Sequence, residues 1–224
     1  LPPWATSVCE ASLVVDAGDD TEASTLDFDG TPRISGAHID LGAFELSADS
    51  DGDGTPDSLD PDDDNDGVPD VSDCASLSPG VSQVPDPVGN TLKLDKNPSG
   101  RLRWLRSFQG HTYNIYRGTL TSGQPWSYNE VCLIGQVTGN SHVDPVTPVN
   151  PGEGFFYLIA ARNVCGDAAA GFDGTGAPIV PAAVCPQSGA DTDMDNRADV
   201  QDNCAESSNT TQGDADADFV GNSC

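Results

Sequence analysis

Between residues 84 and 186 apolar and polar positions alternate in short runs, the period-two pattern of strands that bury one face. The runs fall at 91–94, 101–104, 113–117, 131–134, 141–143, 155–162 and 177–180, following a turn marked by Pro85 and Pro87. About seven short strands within roughly 100 residues predict an antiparallel two-sheet sandwich. Residues 1–47 alternate in briefer pieces, notably 12–15 and 37–44, separated by Asp/Gly turns, and these also read as strands. Residues 48–75 and 187–224 show no apolar period and are dominated by aspartate. The longest apolar run, 154–161, has the length of one buried strand and falls far short of the ~20 residues that span a bilayer. The predicted class is therefore mainly β, in four segments: 1–47, 48–75, 84–186 and 187–224.

Charge sharpens that division. The 224 residues carry a formal net charge of -27, but the acidity is local. Residues 49–73 hold eleven Asp and no Lys or Arg, whereas 88–186 hold six acidic and seven basic side chains. Nucleic acid and anionic membranes need Lys/Arg patches, so neither is an expected partner; cations are. Leu1 opens on Pro2, Pro3 and Trp4 with no basic or apolar leader, as in a mature or excised portion of a longer chain. Cys9, Cys74, Cys132, Cys165, Cys185, Cys204 and Cys224 contain no Cys-x-x-Cys pair and no neighbouring His, which favours disulfides in an oxidising compartment over zinc. An odd count leaves one thiol free or joined to another chain. The pair Cys165 and Cys185 is placed to close the last hairpin, and other pairings stay open.

The aspartates follow a ruler. In "DSDGDGTPDSLD" Asp49, Asp51, Asp53, Asp57 and Asp60 occupy positions 1, 3, 5, 9 and 12, with Gly54 at 6. In "DDDNDGVPDVSD" the same places are held by Asp62, Asp64, Asp66, Asp70 and Asp73, with Gly67 at 6. Ca²⁺ takes six to eight hard oxygens, which alternate residues of a tight loop can supply, and position 7 adds a backbone carbonyl, here Thr55 and Val68. Glycine at 6 permits a positive-φ turn. Mg²⁺ fits less well because it demands strict octahedral geometry. "DTDMDNRADVQD" repeats the ruler with Asp191, Asp193, Asp195, Asp199 and Asp202, Arg197 at position 7 and Asn196 in the glycine place. "DADADFVGNSC" keeps Asp214, Asp216 and Asp218 with Asn222 at 9, but Phe219 at position 6 is a poor fit. The competing reading of such a charge run is a solvated acidic linker. The glycine–aspartate register, held twice, favours metal.

No helical pattern flanks these loops, and Pro56, Pro61 and Pro69 interrupt any, so they are not EF-hands. They resemble thrombospondin type 3 repeats, which implies Asp-rich loops wrapped on calcium and turns pinned by disulfides, with Cys204 and Cys224 spaced as a sequential pair of that family. The strings "LRW", "YNIYRG" and "FFYLIAARNVCG" resemble fibronectin type III domains. That likeness implies a buried Trp104 and inward-facing Phe155, Tyr157, Ile159 and Ala161, with Phe155 where the family carries its corner tyrosine. "ASLVVDAGDD" and "DFDGTPRISGAHIDLGAFEL" resemble the closing coils of secreted bacterial right-handed parallel β-helices. One or two coils cannot bury a solenoid core alone, so upstream coils or a second protomer would have to stack on them.

Catalytic chemistry has little support. His38, His111 and His142 are scattered, there is no Gly-x-Ser-x-Gly elbow, and satisfied surface or turn histidines are expected. Trp4, Trp126, Tyr128 and Tyr116 are candidates for a sugar-stacking or protein-binding face, with core packing the default for Tyr116. Asn209-Thr210-Thr211 has the form of a glycosylation sequon. The expectation is a non-enzymatic, secreted or cell-surface calcium-binding structural or adhesion protein. Its partners would be calcium, other chains or copies of itself in a fibre, and polysaccharide. The alternative is the C-terminal accessory region of a secreted polysaccharide-degrading β-helix enzyme.

Overall fold

The structure is a computed structural model. It describes residues 17–22, 24–28, 30, 32–34, 38–45, 48–95, 100–148, 150–215 and 219–224. The chain divides into two units, Leu1–Val71 and Ser72–Cys224.

Among the described residues the first unit is held by polar contacts. Arg33 pairs with Glu45 at 2.8 Å and donates to the carbonyls of Asp40 and Gly42. Asp40 N–H donates to Glu45, and Glu45 N–H donates to Asp27. A guanidinium that gathers two carbonyls of the same short stretch curls it, so 38–44 is bends and turns where a strand was expected. One antiparallel bridge, Leu26 to Pro32, and a 3₁₀ turn at Asp20–Glu22 are the regular structure described before residue 48. Residues 12–15, also expected as a strand, lie outside the described residues.

Among its described residues the second unit carries seven strands: β1 Lys93–Asp95, β2 Arg101–Arg103, β3 Thr112–Thr121, β4 Val131–Val137, β5 Ser141–Val143, β6 Glu153–Asn163 and β7 Gly166–Asp167. Every pairing is antiparallel, in a three-stranded sheet β1-β2-β5 and a four-stranded sheet β4-β3-β6-β7. Between the sheets lies a core of Val88, Leu102, Trp104, Tyr113, Ile115, Ile159, Ala161 and Ala168, with Tyr157 packed at its margin. A second cluster of Tyr116, Ala160, Ala170 and Cys185 covers the outer face of the four-stranded sheet. Residues 112–116 of β3 are therefore buried without alternation, as expected of a strand covered on both faces.

Several expectations are corrected here. Residues 177–180 are not a sheet strand: Ala170 N–H donates to the Ile179 carbonyl and Ile179 N–H to the Gly171 carbonyl, Phe172 bridges Pro178, and Asp173 caps the intervening turn. The seventh strand is instead the two-residue β7. Residue 91 ends a 3₁₀ turn, Gly89–Thr91, and the first strand starts at Lys93. Phe155 lies outside the core, with the Arg117 guanidinium 4.6 Å above its ring. Tyr157, two residues on, donates its hydroxyl to Asp144 at 3.0 Å, and Asp144 also pairs with Arg117 at 2.7 Å. The disulfides are Cys74–Cys165, Cys132–Cys185 and Cys204–Cys224, so the expected Cys165–Cys185 bridge does not form. Cys185 is drawn away because it fills the second cluster beside Tyr116. Cys9 lies outside the described residues.

Candidate metal centres

Each aspartate loop is closed by the same backbone bonds. The position-6 N–H donates to the position-1 carboxylate: Gly54 to Asp49 (3.2 Å), Gly67 to Asp62 (3.1 Å), Asn196 to Asp191 (3.0 Å) and Phe219 to Asp214 (2.7 Å). The position-2 N–H donates to the position-9 side chain: Ser50 to Asp57, Asp63 to Asp70, Thr192 to Asp199 and Ala215 to Asn222. The position-9 N–H returns to the carbonyl just before the loop, at Ala48, Pro61, Ala190 and Gly213. Position 6 has positive φ in all four: Gly54 97°, Gly67 93°, Asn196 73° and Phe219 62°. Phe219, the poor fit expected at position 6, nonetheless takes this left-handed conformation. Its ring meets Phe108 edge-on at a centroid distance of 4.8 Å, and that contact offsets part of the left-handed strain.

Positions 3 and 5 are turned inward by a second set of bonds. Asp53, Asp66 and Asp195 N–H donate to Asp51, Asp64 and Asp193, and Thr55, Val68 and Arg197 N–H donate to Asp53, Asp66 and Asp195. Three triads result, Asp49/Asp51/Asp53, Asp62/Asp64/Asp66 and Asp191/Asp193/Asp195, each with carboxylate oxygens within 4.8 Å of one another. In the fourth loop Asp216 and Asp218 lie outside the described residues. The remaining predicted ligands are placed differently. Both oxygens of Asp57 accept from Ser50, and both oxygens of Asp199 accept from Thr192, so these two residues brace the loops. Asp60, Asp73 and Asp202 each accept from the N–H two residues onward. Asp73 belongs to the second unit, since the division falls after Val71.

The electrostatics are unfavourable as they stand. Loss of solvent, followed by the negative charges of Asp70, Asp57, Asp60 and Asp51, raises the carboxyl pKa of Asp63. Asp193 is raised by desolvation and then by Asp195 and Asp202, and Asp202 is raised first by its burial. Asp53 is lowered by the Thr55 N–H. Asp62 Oδ1, Asp193 Oδ2, Asp202 Oδ2 and Asp214 Oδ1 are buried and accept no hydrogen bond. A carboxylate oxygen shut off from solvent without a donor is destabilising, and a nearby like charge adds to it. No Lys or Arg occurs between 49 and 73 to relieve this. A hard divalent cation held by these oxygens would.

Sequence spacing missed the residues that hold the third loop against the sandwich. Buried Asn203, Asn209 and Gln212 form a closed amide cluster: Asn203 N–H donates to Gln212 Oε1, Asn209 Nδ2 to Asn203 Oδ1, and Gln212 Nε2 to Asp202 and Asn209. Asn209 N–H also reaches Asp195 at 2.9 Å. Arg106 donates to the Asn203 carbonyl, and His111 faces the Val200 carbonyl through Nδ1 at 3.3 Å. His111 is thus buried, not a surface histidine. Asn209, the sequon residue, is buried with its amide already engaged. In the first unit Asn65 donates to Asp51, linking two successive loops. Only the identity of these amides, polar residues with no charge in an acidic run, distinguished them beforehand.

No family model matches the chain, and no curated protein matches it. Among solved structures it is similar to a Fn3-like protein from Clostridium thermocellum, at 21% identity and a TM-score of 0.26, covering 38% of this chain and 83% of that one.

Proposed function

We propose that this chain is a non-catalytic, extracellular calcium-binding structural protein whose aspartate loops order around Ca²⁺ beside a β-sandwich. The observation that carries the reading is the recurrence of one hydrogen-bond frame in four loops, three of which gather oxygens from positions 1, 3 and 5. Positive φ at position 6 in each loop supports the resemblance to thrombospondin type 3 repeats. The three-plus-four strand arrangement supports the fibronectin type III resemblance of the sandwich. Three disulfides favour an oxidising compartment.

A bound ion would supply two positive charges and a preference for six to eight oxygens. The chain's part is to present them. Asp49, Asp51 and Asp53 form one set, Asp62, Asp64 and Asp66 a second, and Asp191, Asp193 and Asp195 a third, with Asp202 next to the third carrying a buried free oxygen. Without metal the eleven Asp of 49–73 repel one another and have almost no apolar content to offset ordering entropy. Metal binding and ordering are then one equilibrium. Limited proteolysis in calcium and in a chelator tests this. Cleavage between residues 48 and 73 should appear on chelation and vanish on restoring calcium. Identical digestion in both conditions would refute the proposal.

A further inference from the structure

The aspartate loops do not account for an aromatic platform beside β3 and β6. Trp126 and Tyr128, in the segment joining β3 to β4, are 55% and 47% exposed, an uncommon state for rings whose burial is worth so much. Both rings nonetheless make aromatic contacts. Trp126 meets Tyr128 edge-on at 5.6 Å and 89°, and lies on Phe156 at 4.7 Å. Phe156 pairs with Gly118 across β3 and β6, and a Cβ at 118 would collide with its ring, so the glycine is what lets the phenyl lie flat across the strand. Asn129 then clamps the segment, accepting from Thr119 N–H and donating to Thr119 C=O. Gln124 N–H closes the turn on Thr121.

Beside the indole runs a groove of about 320 Å³, lined by Thr119, Thr121, Gln124, Pro125, Ser127 and the ring itself. No charged side chain lines it, in a chain with 36 Asp and Glu. An anionic ligand would gain nothing here and would be repelled by the molecule as a whole. A cation would find aspartate elsewhere. What fits is a neutral ligand with a flat apolar face for the ring and hydroxyls for the amide and hydroxyl groups around it. A β-linked pyranose chain has that form, with C–H bonds on its faces and hydroxyls on its edges. We propose that Trp126, Tyr128 and the adjoining groove bind a neutral polysaccharide, with Trp126 as stacking platform.

Intrinsic tryptophan fluorescence tests this, titrating the calcium-loaded chain with cellohexaose. The expected result is a saturable change in emission of the native chain, with affinity, read for every chain by calorimetric titration because the Trp126 variants lose the reporter, weakened on the order of tenfold or more in Trp126→Ala and to a smaller degree in Tyr128→Ala, as for other exposed aromatic anchors. Near-UV circular dichroism reports whether each variant is folded, and Trp126→Phe, which keeps a ring, should bind more weakly than the native chain but better than Trp126→Ala. Polygalacturonate, the anionic control, should not bind. The proposal is overturned if neutral glycans at millimolar concentration leave the emission unchanged, if Trp126→Ala or Trp126→Phe binds as well as the native chain, or if only a proline-rich peptide perturbs Trp126, which would make the groove a protein site.

Discussion

At the scale of single residues, position 6 of each loop carries the largest conformational demand. Gly67 at φ 93° has open space where a Cβ would stand, so the obstacle to a side chain there is the backbone angle and not packing. Gly67→Val should destabilise the loop by about 1–2 kcal/mol and weaken one calcium site, read as a lost high-affinity step in a calorimetric titration. Asn196→Gly should act in the opposite direction, because it relieves a left-handed asparagine at φ 73°. His111 makes a separate prediction. Burial first, and the Arg106 guanidinium next, push its pKa from 6.5 down to about 4. The folded state then binds fewer protons than the unfolded chain between those values, so stability is complete above pH 6.5 and is lost as pH falls toward 4. The loss should total about 3 kcal/mol at most, and His111→Gln, compared in urea melts at each pH, should abolish that slope. The sequence marked the aspartates of these loops by spacing alone. It could not mark Phe219 as acceptable, because the contact with Phe108 that steadies it is distant in sequence.

At the scale of elements, strands with one buried face were legible and the rest were not. The runs at 101–104, 113–117, 131–134, 141–143 and 155–162 fall on β2 to β6, and β3, β4 and β6 run further where cross-strand pairing continues past the apolar pattern. β7 has two residues and no period to detect. Residues 177–180 carry a strand-like apolar pattern, yet pair only within their own hairpin, because the outer face of the sheet at that point is covered by Ala170 and Cys185. In the first unit the ion pair of Arg33 with Glu45 overrides a pattern that read as strand. The Cys132–Cys185 bridge fastens this covering segment to β4, and Gly135 leaves room for the Cys185 side chain. Replacing both cysteines by serine should cost about 2–5 kcal/mol and should expose Tyr116, measurable as a lower melting temperature together with increased tyrosine accessibility. Loss of the bridge without either change would show that packing alone retains the segment.

For the whole molecule, the controlling quantity is the uneven distribution of its net charge of -27. The second unit joins a nearly neutral sandwich to an acidic loop through Arg106, His111 and the amide cluster, so calcium on Asp191, Asp193 and Asp195 should stabilise strands far from the ion. At a free concentration 100 times the dissociation constant, one such site contributes about 2.7 kcal/mol, and the melting of tryptophan fluorescence should rise accordingly. Changing Asp193 and Asp195 to Asn should remove that rise while leaving the metal-free melt similar or improved, since the substitutions delete mutual repulsion. The most direct test is the number of calcium ions retained at equilibrium, measured by dialysis and elemental analysis on the native chain and on a variant carrying Asn at Asp51, Asp64 and Asp193. The account predicts at least three ions per native chain, one for each aspartate triad, and a loss of all three in the variant. Fewer than three ions per native chain at millimolar calcium, or equal retention by the variant, would contradict it.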